Sequence, residues 1–254
     1  MHLLVLRRCQ KNYKIIILFA LLIFINCSQQ EKNSIKISSA SSLSSLLDSI
    51  SLVLNKEYSL DCINTFGASG ILANQIINNV KSDIFISADY DIAQKVKSDL
   101  KIKNELKLLC SGSIAIFSRD LFLFDSTYQF LLNDSIKRII IPNIKTSPYG
   151  KRIHQLFKTK GIEEKLSKKI VYAESAQKVF HLYLNTDNCI AITAHSLKNK
   201  LKETDYKTFI PLDNPDLKID YYYLRLNNSK NAILLDSLFQ NKAFDKLIKN
   251  SGLN

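Results

Sequence analysis

Phe66-Gly67-Ala68-Ser69-Gly70-Ile71-Leu72-Ala73-Asn74-Gln75-Ile76, followed by Ser82-Asp83-Ile84-Phe85-Ile86-Ser87-Ala88-Asp89, decides the architecture of this chain. Residues 60–66 lead into the first block as a strand pattern. Gly67 and its small neighbours break that pattern. Ile71, Leu72, Ile76, Ile77 and Val80 then recur at helical spacing. In the second block Ile84-Phe85-Ile86 is apolar at every position. A strand without a polar face is covered on both sides, as in a parallel sheet flanked by helices. Strand, helix and buried strand in succession predict an α/β fold.

The alternation continues in both directions. Ile35-Lys36-Ile37 starts an earlier strand, and Leu43, Leu46, Leu47, Ile50, Val53 and Leu54 follow with helical period. Residues 114–117, 139–141, 189–193 and 221–226 read as strands. Residues 150–160 and 176–184 read as helices, and the last thirty residues as two more. The aromatic-rich stretch 121–132 has no decisive period. No repeat or low-complexity linker divides the 254 residues. They suit two lobes of roughly 100 residues each, joined by strands that cross between them.

The N-terminus carries a separate message. Arg7, Arg8, Lys11 and Lys14 precede the apolar run 15–25, which ends in Ile25-Asn26-Cys27-Ser28-Gln29. A basic head and a short apolar stretch make a secretory signal, too short to span a membrane comfortably. The cysteine at its end points to a bacterial lipoprotein signal over residues 1–27, with Cys27 acylated. Asn26 is an unusual residue before such a cysteine, so a simple signal or an uncleaved anchor stays open. The remaining cysteines outside the signal, Cys62, Cys110 and Cys189, are widely spaced and read as free buried thiols.

The net charge of +12 is spread along the chain rather than gathered on one face, which argues for a solvated surface and against nucleic acid. His154, His181 and His195 lack metal-ligand spacing. Neither a P-loop, a nucleophile elbow nor a dinucleotide glycine pattern occurs. These readings predict a protein that is not an enzyme and needs no cofactor.

Four strand-to-helix turns carry small polar or glycine residues: Ser38-Ser39-Ala40-Ser41-Ser42, Phe66-Gly67-Ala68-Ser69-Gly70, Thr146-Ser147-Pro148-Tyr149-Gly150 and Ala173-Glu174-Ser175-Ala176-Gln177. Each sets a helix N-terminus at the carboxyl edge of a sheet, where α/β sheets bind ligands. The first amides of a helix lack internal acceptors and favour anions. Ordinary capping accounts for any one of these turns. Four together suggest an anion site.

Ser39-Ala40-Ser41-Ser42-Leu43, the 66–76 block and the 82–89 block, in that order, resemble the molybdate-binding proteins of ABC importers. Pro148-Tyr149-Gly150 and Glu174-Ser175-Ala176 are weaker matches to later turns of that family. The resemblance implies a type II periplasmic binding protein fold: two α/β lobes around a ligand cleft, joined by hinge strands. The expected division is residues 34–112 and 205–254 in lobe one and 113–204 in lobe two. By position, Ser42 and Ser69 would offer hydroxyl and backbone donors, and Tyr149 and Ala176 backbone N–H groups. Ser41, Gly70, Thr193, Ala194 and His195 are further candidates for the cleft lining. Ala194 stands where the family often has a tyrosine. The missing hydroxyl is expected from the Tyr149 phenol or from a water, because Thr193 points to the opposite face of its strand.

The implied function is capture of molybdate or tungstate, bound as an oxyanion and not as a bare metal. The carrier would be a monomeric periplasmic lipoprotein, held to the membrane through Cys27, that delivers its ligand to an ABC permease. A same-fold binder or sensor for sulfate, phosphate or an organic anion is the alternative.

Overall fold

The computed structural model describes residues 33–121, 124–212 and 214–254. The expected signal segment and Cys27 lie outside the described residues. Residues Ser34–Asn254 form one compact unit built on two five-stranded sheets.

The first sheet runs in the order β2 (Asp61–Gly67), β1 (Ser34–Ala40), β3 (Ile84–Ser87), β10 (Ile219–Arg225), β4 (Leu106–Gly112). β1 is parallel to β2 and β3, while β10 is antiparallel to β3 and β4. The second sheet runs β7 (Ile170–Ala173), β6 (Arg138–Pro142), β8 (Cys189–Ala194), β5 (Ile114–Ser118), β9 (Thr208–Leu212). There β6 is parallel to β7 and β8, and β5 is antiparallel to β8 and β9. The two sheets thus repeat one pattern of directions.

The strand alternation predicts parallel sheets, and each sheet instead holds one reversed strand. The crossings explain it. β4 ends at Gly112 on the carboxyl edge of the first sheet, and β5 starts two residues later at the facing edge of the second. A strand that enters at that edge must run against those that end there. The return from β9 to β10 repeats the geometry. The crossings also correct the expected lobe boundary at 204/205. Residues Thr208–Leu212 pair with β5 in the second sheet, so the second lobe reaches at least Leu212.

Helices cover both faces. In α1 (Ser44–Tyr58), Leu46, Leu47, Ile50 and Leu54 are buried, as the 3.6-residue period requires. α2 (Ser69–Ile77) buries Leu72, Ala73 and Ile76, and α3 (Tyr90–Asp99) buries Ala93 and Val96. α4 (Pro148–Thr159) buries Ile153, Leu156 and Phe157. The one-turn α5 (Glu163–Leu166) follows. α6 (Ala176–Leu184) buries Val179, Phe180 and Tyr183. α7 (Lys230–Gln240) and α8 (Asp245–Asn250) close the chain. The 121–132 stretch contains a short 3-10 turn at Gln129–Leu132. Cys62, Cys110 and Cys189 are free thiols, and burial pushes Cys110 up to about 12. Among the described residues no helix is long and apolar enough to cross a membrane.

Candidate functional site

Four helix starts meet between the sheets. A 3-10 turn, Ser41–Leu43, follows β1 and leads into α1. α2 begins at Ser69 directly after β2. α4 begins at Pro148 beyond β6, and α6 at Ala176 beyond β7. Ser41, Ser42, Ser69, Ser147, Tyr149 and Ala176 line one small cavity with Ala40, Gly67, Ala68, Ala88 and Pro148. All four residues expected to offer donors, Ser42, Ser69, Tyr149 and Ala176, therefore surround the same space. The centre of a water-sized sphere has only about 10 Å³ of room there. That is close to the least a single water needs, so the site is tightly closed in this arrangement.

No lining residue carries a charged side chain. The donors come from hydroxyls and first-turn amides. The Ser69 hydroxyl accepts a bond from the Ala88 amide at 3.0 Å, and the Ser42 hydroxyl accepts one from the Tyr221 phenol at 2.8 Å. Each serine has spent an acceptor site and keeps its one proton. The amides of Ser69, Tyr149 and Ala176 lie in first helical turns, where no intrahelical acceptor exists. Pro148 at the first position of α4 has no amide, so Tyr149 supplies the first N–H of that helix. The dipoles of α2, α4 and α6 present their positive ends to the cavity.

Neighbouring amides are used to draw the lobes together. Gly70 donates to the Thr146 carbonyl at 3.2 Å, and Gln177 donates to the Ser41 hydroxyl at 3.3 Å. The Ser196 hydroxyl donates to the Ser42 carbonyl at 2.7 Å. These bonds, with the 2.5 Å contact between the Tyr149 and Tyr221 hydroxyls, tie the two sheets together in a closed arrangement.

Several other candidates lie away from the cavity. Gly70 serves the lobe contact. The Thr193 hydroxyl donates to the Ala176 carbonyl at 3.1 Å and so holds the start of α6. Ala194 is buried at the end of β8. His195 packs on Phe209, with its Nδ1 3.3 Å from the Ser113 hydroxyl; burial and then Lys198 lower its pKa. The Tyr149 hydroxyl is 2.5 Å from that of Tyr221, which in turn donates to the cavity-lining Ser42.

A larger chamber of about 450 Å³ shares Ala88 and Pro148 with the cavity. Lys151, Arg152 and Lys218 line it together with Asp89, Asp91 and Asp220. Its charges are mixed, and Lys218 already pairs with Asp220 at 3.2 Å. It lacks the converging donors of the small cavity. Among the described residues no group of three His, Cys, Asp or Glu side chains is placed to hold a metal ion.

An uncharged cavity lined by hydroxyls and helix starts thus lies between two sheets with one reversed strand each. Residues 35–239 match the family described as bacterial extracellular solute-binding protein. The chain belongs to that family. Among individual relatives of this solute-binding protein, the molybdate-binding protein ModA of Azotobacter vinelandii is 23% identical over 155 residues. That match spans 61% of either chain. The solved periplasmic molybdate-binding protein of Azotobacter vinelandii superposes with a TM-score of 0.76 at 18% identity, over 87% of this chain and 98% of that one. The sulfate-binding protein SubI of Mycobacterium tuberculosis gives 0.70 at 12% identity, over 87% and 86%. At these identities the superpositions establish the type II binding-protein fold.

The sequence motifs point to Ser42, Ser69, Tyr149 and Ala176 because each sits on a recognisable turn. They give no sign of Tyr221. It lies in a run of three tyrosines on a strand remote from every turn, and only the alternation of buried Tyr221 and Tyr223 around Tyr222 hints at an inward face.

Proposed function

We propose that this solute-binding protein captures a small, fully deprotonated tetrahedral oxyanion, molybdate or tungstate, and delivers it to the permease of an ABC importer. One observation carries the reading. The cavity offers hydrogen-bond donors from four helix starts and no charged side chain. A dianion there is held by neutral dipoles, and a ligand that carries its own proton finds few acceptors. Opening of the lobes about the crossing strands admits the anion, and closure presents one compact form to the permease. Likeness to a sulfate-binding protein supports sulfate as the second reading, because the same donors suit any such dianion.

Ser69→Ala tests the site. It removes the hydroxyl proton aimed at the ligand, and a hydrogen bond to a charged group is worth about 1.5–3 kcal/mol. Affinity for molybdate should fall roughly tenfold to a hundredfold. The helix should survive, since Ser69 is its first residue and not its cap. Unchanged affinity in a calorimetric titration would remove Ser69 from the site.

We further propose that Cys27 is acylated and holds the protein at the periplasmic face of a membrane as a monomer. The basic and apolar segment before it supports this. Each buried methylene of an acyl chain contributes about 0.8 kcal/mol, so Cys27→Ser should move the protein into the soluble fraction. Retention of that variant on membranes after a carbonate wash would point to an uncleaved anchor.

A further inference from the structure

Behind the cavity lies a chain of three buried hydroxyls. The Tyr149 and Tyr221 hydroxyls are 2.5 Å apart, and the Tyr221 hydroxyl donates to Ser42 Oγ at 2.8 Å. Tyr149, Tyr221 and Ser42 are each at most 1% exposed. Ser42 lines the cavity and Tyr221 does not. Tyr149 belongs to α4 in the second lobe, whereas Tyr221 belongs to β10 in the first sheet.

Proton counting gives this chain a direction. A phenol has one proton. Tyr221 gives its proton to Ser42, so the bond between the phenols must be donated by Tyr149. The direction follows from the 2.8 Å bond that the Tyr221 hydroxyl donates to Ser42 Oγ. Burial raises the pKa of both phenols, and the neighbouring Cys110 thiol is held protonated in the same way. No charge therefore reverses the chain. Gly112 makes room for the pair: a Cβ there would stand 3.1 Å from the Tyr149 hydroxyl and 3.1 Å from the Tyr221 ring.

We propose that Tyr221 is a specificity-determining positioning residue, which through its bond to Ser42 Oγ holds the Ser42 hydroxyl as a donor toward the bound anion and so favours fully deprotonated oxyanions over those that carry a proton. The inference rests on the oxyanion reading of the cavity. With Tyr221 donating, the Ser42 proton cannot turn back toward β10 and stays free to point at the ligand. Each donor along the chain also polarises the next, which strengthens the bond that Ser42 makes to a dianion. Because the first link spans the two lobes, the chain is complete only when they are closed. Ser42 is thus set as a donor in the closed state, when the ligand is enclosed.

Tyr221→Phe removes the middle of the chain with little change of volume. The measurement is calorimetric titration of the purified protein and this variant with molybdate, sulfate and inorganic phosphate near pH 7, where only phosphate retains a proton. Molybdate affinity should fall about tenfold, the worth of one modest hydrogen bond. Phosphate affinity should fall less or rise, so the preference for molybdate over phosphate narrows. Tyr149→Phe, which leaves Ser42 and Tyr221 in contact, should narrow the preference in the same sense by a smaller factor, and it carries the test if the first variant does not fold. An equal loss for all three anions, or no change, would reduce Tyr221 to a structural role and overturn the inference while the oxyanion site stands. Failure of the unaltered protein to bind any of the three would overturn both.

Discussion

Gly150→Ala should destabilise the protein by about 3 kcal/mol, at the upper end of what overpacking costs, and should also abolish tight anion binding. A Cβ at residue 150 would lie 2.4 Å from the Pro142 carbonyl oxygen and 2.6 Å from that of Asn143. Both are backbone atoms at the end of β6, and neither can rotate away as a side chain would. The first turn of α4 would have to lift from the strand end, and the Tyr149 amide would move out of the cavity with it. Helix propensity alone predicts the opposite sign, since alanine is favoured over glycine in a helix by about 1 kcal/mol. At about 2–4 °C per kcal/mol for a domain of this size, thermal unfolding should shift down by about 10 °C. Gly161→Ala supplies the contrast. Its φ is +64° but nothing lies within 4 Å of its Cβ position, so it should cost about 1 kcal/mol and leave binding intact. A Gly150→Ala protein of normal melting temperature would contradict the packing described for this turn.

Asp236→Ala should cost a similar amount for a different reason. Asp236 on α7 accepts bonds from Lys107 Nζ at 3.0 Å, the Tyr223 hydroxyl at 2.9 Å, Arg225 Nε at 3.1 Å and Gln240 Nε2 at 2.8 Å. It joins the helix to both β4 and β10 while only 8% exposed. Removing it leaves two cations in a half-buried cluster with no carboxylate between them, and breaking such a pair costs about 3 kcal/mol. Burial alone would raise the Asp236 pKa, but bonds from Lys107, Tyr223 and Gln240 outweigh it and hold the carboxyl below the usual range. A lowered folded-state pKa stabilises the protein above the unfolded value of about 3.9. That contribution is lost as the pH falls through the folded pKa. Urea unfolding should therefore show a gap between the protein and the variant at neutral pH that shrinks below about pH 4. A gap independent of pH would mean that packing, not charge, is what Asp236 contributes.

Much of the fold is legible in local pattern. Ile84-Phe85-Ile86 lies within β3, the 139–141 run within β6, and the helix read at 176–184 is α6. These segments are buried on one stripe or on both faces, so their periodicity is strong. α3 escapes because only Ala93 and Val96 of its ten residues are buried, which leaves no stripe to read. β9 escapes because Pro211 interrupts its pattern; the strand tolerates it at the sheet edge. The reversed direction of β5 and β10 is a property of where the chain crosses, and no local window contains it.

The site divides in the same way. Ser42, Ser69, Tyr149 and Ala176 announce themselves because a strand end, a small residue and a helix start must coincide wherever amides are to face a ligand. Tyr221 acts through register across the sheet. Its neighbours Tyr222 and Tyr223 have the same chemistry, and a shift in pairing with β4 falls between Tyr221 and Tyr222. Which phenol reaches Ser42 is settled by that shift and by the space over Gly112.

Neutral donors between the lobes are proposed to bind a fully deprotonated tetrahedral oxyanion. The most direct measurement is calorimetric titration of the purified protein with molybdate, tungstate, sulfate and phosphate under one set of conditions. One site per chain is expected, saturated by molybdate and tungstate with similar affinity, with phosphate bound far more weakly because its proton meets donors. Tight binding of phosphate, with molybdate and tungstate leaving the protein unoccupied, would contradict it.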